Sequence, residues 1–582
     1  MITKKYMRRL IGFPLVTVLM APLASCSDFL DIKSQSEIVL EDFWSEKADV
    51  DNIVAGCYTG LTSDAIVRRM IIWGEGRSEN FQVGPRIVDD VNLERILNEN
   101  ITAINPYTTW DGFYSVINRC NTLIKYAPGV AATDPGYTES ELRANIAEVS
   151  ALRDLCYFYL IRTFRDVPYS TEAYIDDDQP MELPATPFYG VLDSLINDLE
   201  RVKDDAVAYY PESKPKYQTA RITQTAIHAM LCEMYLWKKD YANCIRYADM
   251  VIDFMKQKYE DKKKQSGRTL SGQTAAENRV NGYPLEVDLS SNVYGDPYEK
   301  IFVNGNSQET IFELFFADET TGGSYNTAIS ALYGHQSNQS ALMSASETIT
   351  EDIDKLTYTI FAERTKQYDA RMYEWCDASS GDIRKFVCRS VTIQTTPSLR
   401  ASEGTKFPEG TNGSKWIIYR LPDIMLLKAE ALTQQLREGS DAEVVDYNKP
   451  ILEQCFSLVN AINKRSVLES TQDLKDTLLA TAYTSKAQME ELVMQERQRE
   501  LMFEGKRWYD LVRRSLRDGN TDVLTAAAMK RKGINAQYVR SFLKKEDAIF
   551  WPYNNEEIKV NKNLVQNPSF GSGENDSYEK TK

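Results

Sequence analysis

The run that most constrains this chain is Glu496 to Arg514, ERQRELMFEGKRWYDLVRR. Leu492, Val493 and Met494 lead into Glu496, Arg499 and Glu500, charges three and four apart that stack on one helical face. Gly505 interrupts the run, and Trp508, Tyr509, Leu511 and Val512 then add apolar surface. On a helix Asp510 reaches Arg507 on one side and Arg513 or Arg514 on the other. An exposed helix has no use for Phe503 and Trp508 among so many charges. The stretch therefore reads as an element docked into the fold, with its charges paired inside. The plainer alternative is a solvated, ion-pair-laced helix followed by a turn. Carboxylates four apart, such as Glu496, Glu500 and Glu504, more often mark ion pairs than acid–base chemistry.

A segment of this kind needs a large body to dock into. The chain of 582 residues is long enough for several average domains or one large helical body, and 43% hydrophobic content is ample for its core. Apolar stripes recur at helical spacing. Val50, Ile53, Val54, Cys57, Tyr58 and Leu61 form one, with Ser45 as the expected cap, and Trp110, Phe113, Tyr114, Ile117, Asn121 and Ile124 form the next. A helix is expected over 139–164, closed by Asp166-Val167-Pro168, and another around Leu192–Val202. Residues 221–255 read as two antiparallel helices turning at Lys238-Lys239-Asp240, with small alanines that allow close approach. This spacing is similar to a tetratricopeptide hairpin, and with comparable pairs at 139–203 and 417–465 it predicts about four irregular hairpins stacked as a curved scaffold. Residues 70–84, 257–303 and 320–346 read as loops, 309–316 as a short strand, and Trp416 as the start of a returning helix.

Charge and composition exclude several functions. The net charge is −16 and becomes more negative once Lys4, Lys5, Arg8 and Arg9 are set aside, so nucleic acid is a poor partner. With only His228 and His335 there is little scope for a histidine-rich metal site or a nucleophile–histidine pair, and no cofactor motif is present. The 33 tyrosines suit wet recognition surfaces, although most can be ordinary core and rim residues.

Residues 1–25 combine a basic start with an apolar run from Leu10 to Leu23 that is too short to span a bilayer. Leu23-Ala24-Ser25-Cys26 resembles a bacterial lipobox, which implies cleavage before Cys26, lipidation there, and a tether over 26–36. Eight further cysteines lie mostly within apolar helical patterns, and Cys376 with Cys388 is the one pair worth testing as a bridge.

Several blocks, taken together, resemble the SusD/RagB family of outer-membrane nutrient-binding lipoproteins. The signature helix matches at Glu496, Arg497, Glu500, Leu501, Glu504, Gly505, Arg507, Trp508, Asp510, Leu511 and Arg513. Further matches are CSDFLD at Cys26, the Trp110–Asn121 helix, Phe164-Arg165-Asp166-Val167-Pro168, the WIIYRLPDIMLLKAEAL block, and FWPYNNEEIKVNKNLVQNP near the end. Tyr553-Asn554 and Val560-Asn561-Lys562 depart from the family's closing pattern. The resemblance implies a mainly α, SusD-like fold with long loops and a few short strands. It divides into a helical part over 37–220 and a second part over 221–582 with loop insertions, packed as one body.

The same resemblance implies a lipid-anchored, non-enzymatic subunit facing the cell exterior. It would capture oligosaccharide and deliver it to a TonB-dependent, SusC-like transporter. Peptide uptake and a protein scaffold are the alternatives, and a glycoside hydrolase would need two carboxylates roughly 5–10 Å apart. The family's site combines the loop after the first helix with later inserted loops. That position selects Trp73, Arg77, Glu79, Asn80 and Phe81 as ligand-binding candidates, with Tyr325, Tyr333 and Trp375 as second choices.

Overall fold

The computed structural model describes residues 43–571 except 177, 266–279, 289–292, 318–324, 337–339, 351–367, 378–379, 395–399, 403, 469–477 and 532. The leader, Cys26 and the tether lie outside the described residues. Along the chain the principal helices are α1 (Lys47–Leu61), α2 (Asp64–Glu75), α3 (Val91–Leu97), α4 (Asp111–Thr133), α5 (Glu139–Phe164), α6 (Phe188–Val202), α7 (Gln224–Trp237) and α8 (Tyr241–Gln265). After the inserted region come α9 (Thr327–Tyr333), α10 (Leu421–Gln434), α11 (Ala442–Ser466), α12 (Lys486–Leu501), α13 (Arg507–Asp518) and α14 (Asn555–Val560). The fold is mainly α, as expected.

The body is a succession of packed helices. α1 lies on α4, α4 on α5, α5 on α6, α7 on α8, α8 on α10, and α10 on α11 and α12. α5 is central. A capping box between Thr138 and Glu141 starts it, and every residue from Ala147 to Phe164 is buried. Its chain reverses at Arg165, which has φ 71°. Val50, Val54, Cys57 and Leu61 bury the expected stripe of α1, although Glu46 caps it instead of Ser45. Ala226, Ala229 and Ala248 are fully buried on the α7–α8 pair.

Several sequence expectations need correction: α8 runs on to Gln265 and α9 lies within 320–346, both where loop was expected. Met70 to Glu75, read as loop because of its glycines, is the second half of α2. Trp416–Arg420 is a strand (β4) that precedes helix α10; it pairs antiparallel with β2 (Thr310–Leu314), the short strand expected there. All five residues of β4 are buried, and such a run has no period to separate strand from helix. Cys376 and Cys388 are free thiols, as are the other six described cysteines, each buried as a small apolar residue.

The charged run folds as the docked reading requires. α12 ends at Leu501, a turn through Gly505 follows, and α13 begins at Arg507. Arg497 grips Asp510 with two bonds of 2.9 Å and reaches Asp423 at 3.0 Å. Arg513 bonds Glu430 at 2.6 and 3.0 Å and Asp510 at 2.8 Å. Glu500 accepts from Arg371 at 2.8 Å, from Arg420 at 2.5 Å and from Arg465. Glu504 accepts from Arg420 and from Lys385. Burial alone would push these carboxyls up, but the surrounding guanidiniums outweigh it. Glu500 is thereby held well below the usual range, and Asp510 is brought to about 2 by Arg497 and Arg513.

The acid response follows from that depression. The Asp510 carboxyl titrates near 3.8 when unfolded and near 2 when folded, so below pH 4 the unfolded chain binds more protons. Its contribution, about 2 kcal/mol, is complete above pH 4 and is lost as pH falls through 2. Urea midpoints measured from pH 6 down to pH 2.5 should fall mainly below pH 4. Asp510→Asn should start lower at pH 6 and show a shallower acid decline. An equally steep decline in the variant would refute this assignment.

Candidate ligand-binding cleft

The residues selected from sequence sit close to the signature element but face inward. Trp73 is fully buried, donates its indole N–H to the Tyr107 carbonyl at 2.7 Å and stacks on Phe113. Arg77 is buried between Glu99 at 2.9 Å and the Ala548 carbonyl at 2.8 Å, with its guanidinium over the Trp508 ring. Glu79 takes Arg507 at 2.6 Å, which outweighs burial and keeps the carboxyl low. Asn80 bridges Glu75 and Gln498, and Phe81 packs on Tyr333 and Phe503. Tyr333 donates to the Phe503 carbonyl at 3.0 Å, and Trp375 lies under the Lys385 ammonium at 3.5 Å.

Seven of the eight candidates are therefore core, and most of them clamp the signature element. These seven side chains are spent on contacts within the fold. Tyr325 alone is half-buried, two residues before α9. Glu75, which sequence reading passed over, accepts the backbone N–H groups of Phe503 and Gly505, both at 2.7 Å. Burial raises its carboxyl to about 7 in spite of these bonds.

The early loop and the inserted region do meet, a few residues further on. β1 (Phe81–Val83) pairs antiparallel with β3 (Met343–Ala345), and Gly84 and Arg86 continue the pairing to the carbonyls of Leu342 and Ala341. This carries Arg86, Asp89 and Asp90 across from α9. Together with Arg68, Thr327, Ser330, His335, Ser340 and Glu409 they line a cleft of about 470 Å³. Asp90 is fixed: it caps α3 through the Leu93 N–H at 2.9 Å and accepts the Tyr107 hydroxyl at 2.6 Å. Burial first, and then Asp90, push the Tyr107 phenol up. Arg86 and Asp89 pair at 2.5 Å with about half of each side chain in solvent, so each keeps bonding capacity. The Nδ1 of His335 is buried without a partner among the described residues.

Chemically the cleft offers carboxylates, guanidiniums and hydroxyls at short range to a polar ligand rich in hydroxyl groups. Apart from the His335 imidazole, no aromatic ring is among its described lining residues. Among the described residues there is no group of three or more His, Cys, Asp or Glu side chains placed to hold a metal ion. No helix among them is long and apolar enough to cross a membrane.

Comparison with known proteins places this architecture. The family described as "SusD family" matches residues 383–570, and the one described as "Starch-binding associating with outer membrane" matches residues 28–236. The chain belongs to the SusD/RagB family. A relative, SusD-like protein P38 from Formosa agariphila, is 24% identical over 514 residues, covering 88% of this chain and 92% of the relative. A solved SusD superfamily protein from Bacteroides thetaiotaomicron superposes with a TM-score of 0.56 at 20% identity, covering 91% of this chain and 99% of the other. A structure named as a laminarin-binding SusD-like protein gives 0.57 at 20% identity, covering 90% and 99%.

Proposed function

We propose that this chain is a glycan-capturing lipoprotein of the outer membrane and that the cleft around Arg86, Asp89 and Glu409 holds the oligosaccharide. The observation that carries the reading is the convergence of these charged and hydroxyl groups where the early loop meets the inserted segments. The starch-binding, outer-membrane description of the family matched by the first half supports it, as does the laminarin-binding relative in fold. Anchoring through Cys26 and delivery to a TonB-dependent, SusC-like transporter complete the proposal, with the protein acting as a binding subunit and not an enzyme. Its two parts, 37–220 and 221–582, work as one body, clasped by the tail. Trp551 bonds the Thr163 carbonyl at 2.8 Å, and Asn554 bonds Thr108 at 3.0 Å.

The test is calorimetric titration of the chain beginning after Cys26 against starch, β-glucan and other oligosaccharides, beside Arg86→Ala and Asp89→Ala. A hydrogen bond to a charged group contributes about 1.5–3 kcal/mol, so one glycan class should bind saturably and each variant should weaken it roughly tenfold or more. Unchanged affinity in both variants would remove the site from this cleft. Binding of peptides alone would move the reading to peptide uptake. Contact with the transporter but with no nutrient would favour a scaffold.

A further inference from the structure

A second cavity, also of about 470 Å³, lies where the start of α4, the 168–183 segment and α14 come together. Its wall is aromatic and aliphatic: Trp110, Tyr114, Tyr157, Tyr174, Leu183 and Leu564. Four of the polar side chains in that wall are committed to the 168–183 backbone. Tyr114 donates to the Pro168 carbonyl at 2.6 Å, Tyr157 to Ser170 at 2.8 Å, Asn118 to Tyr174 at 2.8 Å and Asn121 to Glu172 at 2.9 Å. Asn561 closes the far side on the Leu183 carbonyl at 2.7 Å. A sugar hydroxyl turned against the aromatic and aliphatic part of this wall would be left unpaired, at a cost of about 1–3 kcal/mol.

The cavity nevertheless carries charge of one sign. Asp111 and Glu557 are the charged lining residues, and no Lys, Arg or His lines it. The Glu557 carboxyl is half-buried beside Trp110 and feels the Asp111 carboxylate. The α4 dipole, which would favour an anion here, is offset by Asp111 in its first turn. Met181 and Val560 add exposed apolar surface to the lining. An apolar body with a positive group matches all of these features, because the acids attract the cation and aromatic faces stabilise it further.

We propose that this cavity is a second binding site, separate from the Arg86–Asp89 cleft, for an organic cation. The ligand has an aromatic or branched apolar body that seats against Trp110, Tyr114, Tyr157 and Tyr174, and a protonated amine drawn to Asp111 and Glu557. The inference is independent of the glycan reading. Calorimetry on the chain beginning after Cys26, with tryptamine as probe and the alcohol tryptophol as its neutral isostere, tests it. Tryptamine should bind saturably, and tryptophol at least tenfold more weakly. The double variant Asp111→Asn/Glu557→Gln should lose at least tenfold in tryptamine affinity while keeping its tryptophol affinity. Leu183→Trp, which fills the cavity, should abolish binding of both; if thermal melting shows that variant unfolded, the double variant decides. No saturable tryptamine binding, equal affinity for the two probes, or unchanged tryptamine affinity in the double variant would overturn the proposal.

Discussion

Glu500→Ala should cost this protein a large part of its stability. Glu500 is fully buried and receives three guanidiniums, from Arg371 ahead of the docked element, from Arg420 at the end of β4 and from Arg465 in the last turn of α11. None of these arginines exposes more than 5% of its side chain. Each keeps one other acidic partner or more: Asp369 and Glu496 for Arg371, Glu504 for Arg420, and Glu309 for Arg465. Glu496 also pairs with Arg499 and Glu504 with Lys385, so removing Glu500 takes from three buried guanidiniums a carboxylate that the remaining acids do not replace. Breaking one buried pair costs about 3–5 kcal/mol, against about 5–15 kcal/mol for a whole typical protein. The urea midpoint of Glu500→Ala should fall by the equivalent of at least 3 kcal/mol, and Glu500→Gln, which restores shape but not charge, should recover only a minor part. Glu556→Ala, at the surface pair with Lys559, should leave the midpoint where it was. A loss below about 1 kcal/mol in Glu500→Ala would mean that the network contributes no more than surface pairs do.

That network explains which parts of the molecule could be read in the sequence. The docking of 496–514 was legible because Phe503 and Trp508 among charges have no place on a solvated helix. Its partners were not, because Glu79, Arg371, Lys385 and Arg420 come from distant segments and nothing local marks them as a set. The helix pairs α5–α6 and α7–α8 were legible from apolar spacing. α2 was misread from Met70 onward because Gly74 and Gly76 look like turn residues. Gly74 is there for a tertiary reason, the close approach of another backbone. The candidates chosen from sequence are buried for a related reason. Arg77, Glu79 and Asn80 have the polarity of a recognition loop, but Arg77 is spent on Glu99 and the Ala548 carbonyl, Glu79 on Arg507, and Asn80 on Glu75 and Gln498. Arg86, Asp89 and Asp90, which line the cleft proposed here, stand just past the stretch that looked chemically rich.

Gly74→Ala is the sharper test of how α2 meets the signature turn, because local and tertiary effects have opposite signs. In a helix interior, alanine is favoured over glycine by about 1 kcal/mol, so a free α2 would gain from the change. A Cβ at Gly74 would stand 1.8 Å from the Gly505 carbonyl oxygen and 2.6 Å from its carbon, both backbone atoms. The turn cannot easily retreat. Gly505 has φ 69°, and its N–H is held by the Glu75 carboxylate at 2.7 Å, as is that of Phe503. Those anchors sit on the residue next to Gly74, so moving the turn away from the new methyl pulls on the bonds that hold it. Overpacking typically costs about 1–3 kcal/mol and occasionally more, and a clash between two backbones belongs at the top of that range. We expect the urea midpoint of Gly74→Ala to fall by about 3 kcal/mol or more. Gly56→Ala in α1, where a Cβ meets nothing within 4 Å, should raise it by about 0.5–1 kcal/mol. If both substitutions stabilise the protein, α2 and the turn at Gly505 are not in contact, and the account of Glu75 as the acid that holds this turn goes with it.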